Sequence, residues 1–328
     1  MQFLKWLAAH CRRAYAAAVT WLCASRGRAL LGAAILAFLA LVLPFGTWLP
    51  GAYIVLLALR GSVPLPDWAA TAVAGAALVW WLSVAGAGPV PSLLVSVALV
   101  VPGLLIGRLL LRGGSLDLAF QLATLAALAV LVVVHLVIAD PPGVWRPFLE
   151  RLAAELDRMA TVMSNVGSGR RPQESNLIEA SAARMWGVVA WLMLLNTMIA
   201  AFVGLASAGV MAKIPRLGPA FRALKAGRTL AGVALLVTLV TVTFHWDLPA
   251  DAAWVFLGAF VLQGLAVLHS ARESLGLGTA WLAGTYVLLF LPVTTLFAQG
   301  ALAMFGFMDN WYPLRPRFAA LRRGKSGG

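Results

Sequence analysis

The sequence predicts an all-α fold that lives in a membrane: a polytopic helical bundle of eight or nine transmembrane helices, with one amphipathic helix on its surface. Three observations predict it. Hydrophobic residues make up 62% of the chain and charged residues 11%, against about a quarter charged in an average soluble domain. Seven runs free of charge, 29–59, 68–107, 118–139, 185–212, 229–246, 252–271 and 274–308, approach or exceed the roughly twenty apolar residues that cross the hydrocarbon core. The net charge of +13 is scattered through the short segments between these runs, as expected of basic cytoplasmic loops. Topology therefore accounts for the charge, and nucleic acid is not an expected partner.

Residues 1–28 carry Lys5, Arg12, Arg13, Arg26 and Arg28 with Trp6, Tyr15 and Trp21 between them. They read as a basic helix on the cytoplasmic surface, which puts the N terminus inside. A cleavable signal peptide is not expected, because the first long apolar run follows five basic residues and continues into more membrane. Run 29–59 is interrupted by Pro44, Gly46, Pro50 and Gly51, so a turn and a short returning helix ending at Arg60 are expected. Run 68–107 is divided by Gly86, Gly88, Pro89 and Pro91 into a second hairpin, and 118–139 is one clean span closed by Pro141-Pro142-Gly143.

An insertion over 140–184 follows. Trp145, Phe148, Leu149, Leu152, Leu156, Met159 and Met163 keep helical spacing, with Arg146, Glu150, Arg151, Glu155 and Arg158 on the other face, which is the pattern of an amphipathic helix. Residues 165–175 are polar and rich in Gly, Ser and Pro, and read as a flexible joint. Lys213, Arg216, Arg222, Lys225 and Arg228 form the strongest cytoplasmic marker. Beyond them the expected spans are separated by an acidic turn, 247–251, and by Arg272-Glu273. That leaves three crossings before the basic tail unless Pro292 divides the last run. The expected organisation is a basic interfacial helix (1–28), an N-terminal membrane bundle (29–139), the insertion (140–184), a C-terminal membrane bundle (185–308) and an exit motif with a basic tail (309–328).

The chain has no H-E-x-x-H and no G-x-S-x-G, and Gly324-Lys325-Ser326 lacks the upstream glycine of a phosphate loop because Ala319 stands there. The two cysteines, Cys11 and Cys23, suggest neither a disulfide framework nor a metal cluster. His10, His135, His245 and His269 are far apart and none has a carboxylate or cysteine at a ligand spacing. The expectation is a protein that is not an enzyme, with no catalytic residue, metal or cofactor.

Polar residues within apolar spans carry more information, since they normally face a bundle interior or cavity. Asn196, Gln263, His269 and Gln299 are the candidate substrate-binding residues, with hydrogen bonding that only holds helices together as the alternative. Arg60, Arg108 and Asp309 lie at span ends, where snorkelling is the ordinary explanation. The longest run ends in Asp309-Asn310-Trp311-Tyr312-Pro313-Leu314-Arg315-Pro316-Arg317. Its prolines suggest that the chain turns back after Trp311, with Asp309 and Arg315 as a structural clasp.

The C-terminal third carries a resemblance. Pro215-Arg216 with Phe221-Arg222-Ala223-Leu224, Gln263-Gly264 with His269, Tyr286-Val287-Leu288-Leu289, and Gly306-Phe307-Met308-Asp309-Asn310-Trp311 ending in Leu314-Arg315-Pro316-Arg317 together resemble the YybS-like family of bacterial multi-pass membrane proteins. The N-terminal half, with its Pro/Gly-broken hairpin at 44–60, is similar to the substrate-capturing subunits of energy-coupling-factor vitamin transporters. These resemblances imply a bacterial inner-membrane protein that binds a small solute in the manner of a permease, or else a non-transporting scaffold for envelope machinery. The partners implied are the lipid bilayer, a small-molecule solute and another membrane protein.

Overall fold

The computed structural model describes residues 2–43, 46–60, 67–86, 88–164, 172–211 and 217–325. It is all-α, 86% helical, with no strand among the described residues. In chain order the helices are α1 (Gln2–Leu22), α2 (Arg26–Val42), α3 (Leu49–Arg60), α4 (Asp67–Val84), α5 (Pro89–Leu111), α6 (Leu116–Val137), α7 (Arg146–Ser164) and α8 (Pro172–Ala182). They continue with α9 (Met185–Met211), α10 (Leu217–Ala223), α11 (Arg228–Phe244), α12 (Asp247–Leu275), α13 (Thr279–Phe290), α14 (Thr295–Met308) and α15 (Leu314–Lys325). Five helices, α4, α5, α6, α9 and α12, are long and apolar enough to cross a membrane, and the number rises to seven if α1–α2 and α10–α11 each count as one bent span.

Several boundaries differ from expectation for identifiable reasons. Arg26 and Arg28 open α2 rather than closing the interfacial helix, because Ser25 caps α2 by accepting a hydrogen bond from the Arg28 N–H. The axis bends by 114° at that joint. The acidic stretch 247–251 is not a turn but the start of α12, since carboxylates favour a helix N-terminus and proline is tolerated in its first turn. Arg272-Glu273 likewise lies within α12, which stops before Gly276 at φ +68°, a left-handed conformation open to glycine. Run 274–308 is two short helices, of 12 and 14 residues, parted around Pro292. At 1.5 Å per residue neither exceeds about 21 Å, short of the roughly 30 Å core. Pro172 and Pro316 stand in the first turns of α8 and α15 instead of interrupting them. Residues 165–171 of the expected joint, Pro44 of the first break, and Lys213 and Arg216 of the basic loop lie outside the described residues.

The chain forms two compact units, each assembled from separated stretches. The first comprises Met1–Ala123, Leu195–Lys225 and Ala266–Gly276. At its centre is α3, buried continuously from Pro50 to Leu59. Glycines make this possible. A methyl group on Gly103 of α5 would lie 2.6 Å from the Gly51 carbonyl oxygen, one on Gly107 2.7 Å from Ala58 Cβ, and one on Gly204 of α9 2.6 Å from Val55. Small residues at such crossings let helix backbones meet, which is how helices associate where lipid removes the hydrophobic drive. The Asp67 carboxylate accepts from Arg108 Nε at 2.8 Å and Nη2 at 2.9 Å, tying the start of α4 to the end of α5. Arg108 is therefore half of a bidentate pair and not a lone snorkelling cation.

The second unit comprises Thr124–Leu194, Ala226–Leu265 and Leu277–Gly328. Here α7 follows its predicted amphipathic pattern, and Arg146 at its start is held by Asp140 at 2.8 Å and by Glu179 of α8 at 2.7 Å. The hydrogen bonds from Arg146 keep the Glu179 carboxyl below its ordinary range. The apolar face of α7 stays open, with Phe148, Leu152, Leu156 and Met159 all exposed, as suits a helix lying in a lipid interface. Leu152→Asp combined with Leu156→Asp is expected to speed proteolysis within 140–184 in bilayer-reconstituted protein while the helix content elsewhere is kept. Unchanged cleavage rates would count against the interfacial placement.

Candidate functional site

In the second unit Gln263, on α12, is completely buried, and its amide organises a polar knot at the end of α14. Its Oε1 accepts from the Ala226 N–H at 2.9 Å and from Asn310 Nδ2 at 3.3 Å, while Nε2 donates to Asp309 Oδ2 at 3.3 Å. The same Asp309 oxygen lies 3.1 Å from Arg315 Nη2, with the carboxylate fully buried and Arg315 12% exposed. Asp309, at the end of α14, is thus buried among protein partners and does not snorkel outward. Asn310 Oδ1 accepts from the Gly227 N–H at 3.0 Å, and Arg228 Nε donates to the Asn310 carbonyl at 3.2 Å. Gly227 sits at φ +89° just before α11, so the turn into α11 needs glycine there.

Local sequence explains why these groups meet. The helix α14 ends at Met308, the chain turns over 309–313, and Pro313 precedes a new helix whose first turn carries Arg315 back toward Asp309. Burying these groups is tolerable because their hydrogen-bonding atoms are largely consumed by one another. Two atoms are exceptions, buried without a hydrogen-bond partner: Asp309 Oδ1, and Nε of Arg315, whose Nη2 is held by the same carboxylate. The arrangement links α12, the turn before α11 and the end of α14 through side chains that bond chiefly to one another.

The other candidates have different surroundings. Asn196 belongs to the first unit, where its Oδ1 accepts from Thr47 Oγ1 at 2.7 Å, in the break between α2 and α3. His269, also in the first unit, meets the Phe221 ring edge to face at 5.3 Å, beside the ion pair of Arg222 and Glu273. Gln299 is half-buried on α14. The structure thus joins Gln263 to Asp309 and Arg315, and gives Asn196 and His269 other partners.

One pair escaped the sequence reading. His135 of α6 and Asp251 of α12 approach to 3.4 Å, with side chains 13% and 2% exposed. Arg184 and Asp247 lie at the same end of the unit, 3.3 Å apart. Spacing along the chain holds no trace of a contact between residues 135 and 251. The available signal was a histidine inside an apolar run, of the same kind that singled out Asn196 and Gln263.

The first unit also has an open groove of about 600 Å³ between α4 and α5, lined by residues that include Gly75, Val79, Trp80, Val97 and Val101. Its hydroxyls are turned inward: Thr71 donates to the Asp67 carbonyl and Ser96 to the Ser92 carbonyl. What remains is an apolar surface. No group of three or more metal-ligating side chains occurs among the described residues.

Fold and site define an all-α protein whose long apolar helices suit a membrane and whose buried polar side chains are gathered into discrete clusters. Compared with family models, curated proteins and solved structures, the chain matches none.

Proposed function

We propose that the chain is a multi-pass protein of the bacterial cytoplasmic membrane, N terminus inside, that binds a small solute in the manner of a permease. The observation that carries this reading is the broken pair α2 and α3. The second helix has 12 residues, too few to cross as a lipid-exposed span, and is enclosed by protein. Irregular backbone at membrane depth is tolerated where it is buried or lines a cavity, and discontinuous helices form the sites of many transporters. Thr47 in that break, paired with Asn196, supplies the hydrogen-bonding groups a solute would exchange with.

Protein purified from its own host membranes is expected to retain a small compound that Thr47→Val with Asn196→Leu releases without loss of thermal stability. No retained compound, or one retained equally by the variant, would overturn the solute reading. The exposed apolar face of α7 favours the second reading, a scaffold for envelope machinery. Membership of the YybS-like family is part of the same proposal and rests on the motifs between residues 213 and 317.

An N terminus and a residue 220 that are both inside must be separated by an even number of crossings. The bent span α1–α2 with α4, α5, α6 and α9 supplies five, so α3 is proposed as the sixth. With α10–α11 and α12 the total is eight, or nine if α13 and α14 together form one more, which would expose residue 320. With Cys11 and Cys23 replaced by serine, a cysteine at 220 is expected to resist an impermeant thiol reagent on intact cells. One at 249 should label and one at 320 should resist. Labelling at 220 before lysis would reverse the orientation.

A further inference from the structure

His135 Nδ1 lies 2.9 Å from the Leu131 carbonyl oxygen. A carbonyl can only accept, so Nδ1 carries the hydrogen, and in a neutral ring Nε2 would then present a bare lone pair. That nitrogen faces Asp251 Oδ2 at 3.4 Å, where the carboxylate is 2% exposed and the imidazole 13%. Two lone pairs opposed where both groups are largely buried repel each other, with little solvent to relieve them. A proton between them turns the contact into a hydrogen bond, charge-assisted when the ring holds it and neutral when the carboxyl does.

We propose that His135 and Asp251 form a proton-binding site that holds one proton between Nε2 and Oδ2 and releases it as the pH rises. The surroundings support a site that can be filled and emptied. The backbone of Gly187 on α9 lies against Asp251 so closely that a methyl group there would come within 2.9 Å of Asp251 Oδ1, so α9 closes a third side of the carboxylate. The other charges facing it are Arg184, just before α9, and Asp247, one turn earlier on α12; they lie 3.3 Å from each other. Arg146 is taken up by Asp140 and Glu179. The imidazole is thus the one cation-forming group in direct contact with Asp251 among the described residues. Intramembrane His and Asp chains are a recurrent means of proton relay, and this site stands whether or not the chain binds a solute.

The test uses full-length protein in bilayers, labelled for NMR at the histidine ring nitrogens and the aspartate carboxyl carbons, with His135→Gln and Asp251→Asn supplying the assignments. Near neutral pH the wild type is expected to show either both ring nitrogens protonated or a protonated Asp251 carboxyl. Raising the pH should abolish that signature on both residues in a single step. In Asp251→Asn the amide N–H takes the place of the proton at Nε2, so the ring should keep its Nδ1–H alone and stay unchanged over the same pH range. A bare Nε2 facing an ionised Asp251 at every pH, separate steps for ring and carboxyl, or a ring that titrates identically in Asp251→Asn would each overturn the proposal.

Discussion

Replacing Gly264 or Gly306 by alanine is expected to destabilise the second unit by about 2–3 kcal/mol each, the upper range for forcing an extra methyl group into a packed interior. The methyl of Gly306→Ala would fall 2.1 Å from the Phe260 carbonyl oxygen, and that of Gly264→Ala 2.0 Å from the Leu302 carbonyl oxygen. Both obstacles are backbone, so no rotamer change relieves them and α12 must part from α14. Parting has a second consequence. Gln263 adjoins Gly264, and Asn310 donates to the Gly306 carbonyl at 3.0 Å, so separation of the helices also pulls on the polar knot. Gly284→Ala and Gly300→Ala are the controls, because nothing lies within 4 Å of either added methyl group; each should be neutral or gain roughly 0.5 kcal/mol from helix propensity. Thermal unfolding in detergent reads all four. Equal small effects would mean that α12 and α14 do not depend on this crossing.

Arg315→Gln is expected to lower stability by about 3–5 kcal/mol, the range for leaving a buried charge without its counterion. Asp309 would then keep its carboxylate with no exposure and with Gln263 as the donor at 3.3 Å. Asp309→Asn should cost less. The amide can still accept from Gln263, and Arg315, 12% exposed, retains some contact with solvent. The double variant should lose less than the sum of the two singles, since the pair couples directly. Strictly additive losses, or none, would show that the two side chains are neighbours without a clasp. Lost solute retention at unchanged stability would instead move Asp309 and Arg315 into the binding site.

Much of the architecture could be read from periodicity and punctuation. The breaks near Gly46, between Gly86 and Gly88, and around Pro292 all separate helices, because the missing proline N–H and the freedom of glycine act locally, whatever the helices later pack against. The amphipathic stretch beginning at Trp145 was legible for a similar reason, since one helix face must meet a different solvent from the other. Where local signals compete, the reading erred. The 247–251 stretch has the proline and carboxylates of a turn, yet both are welcome near a helix's start, and the packing of α12 selects the helix.

The sequence by itself determined that this chain is helical, that its long apolar segments suit a membrane, and where most helices begin and end, because hydropathy and backbone restriction are properties of neighbouring residues. Only the tertiary structure decided which polar side chains meet. Residues 135 and 251 are separated by 116 positions, and nothing in either neighbourhood encodes a partner so far along the chain. The approach of α12 to α14 through Gly264 and Gly306, and of α6 to α12 at His135, is set by how whole helix surfaces fit. Those fits gather Gln263, Asp309, Asn310 and Arg315 into one knot and set His135 against Asp251.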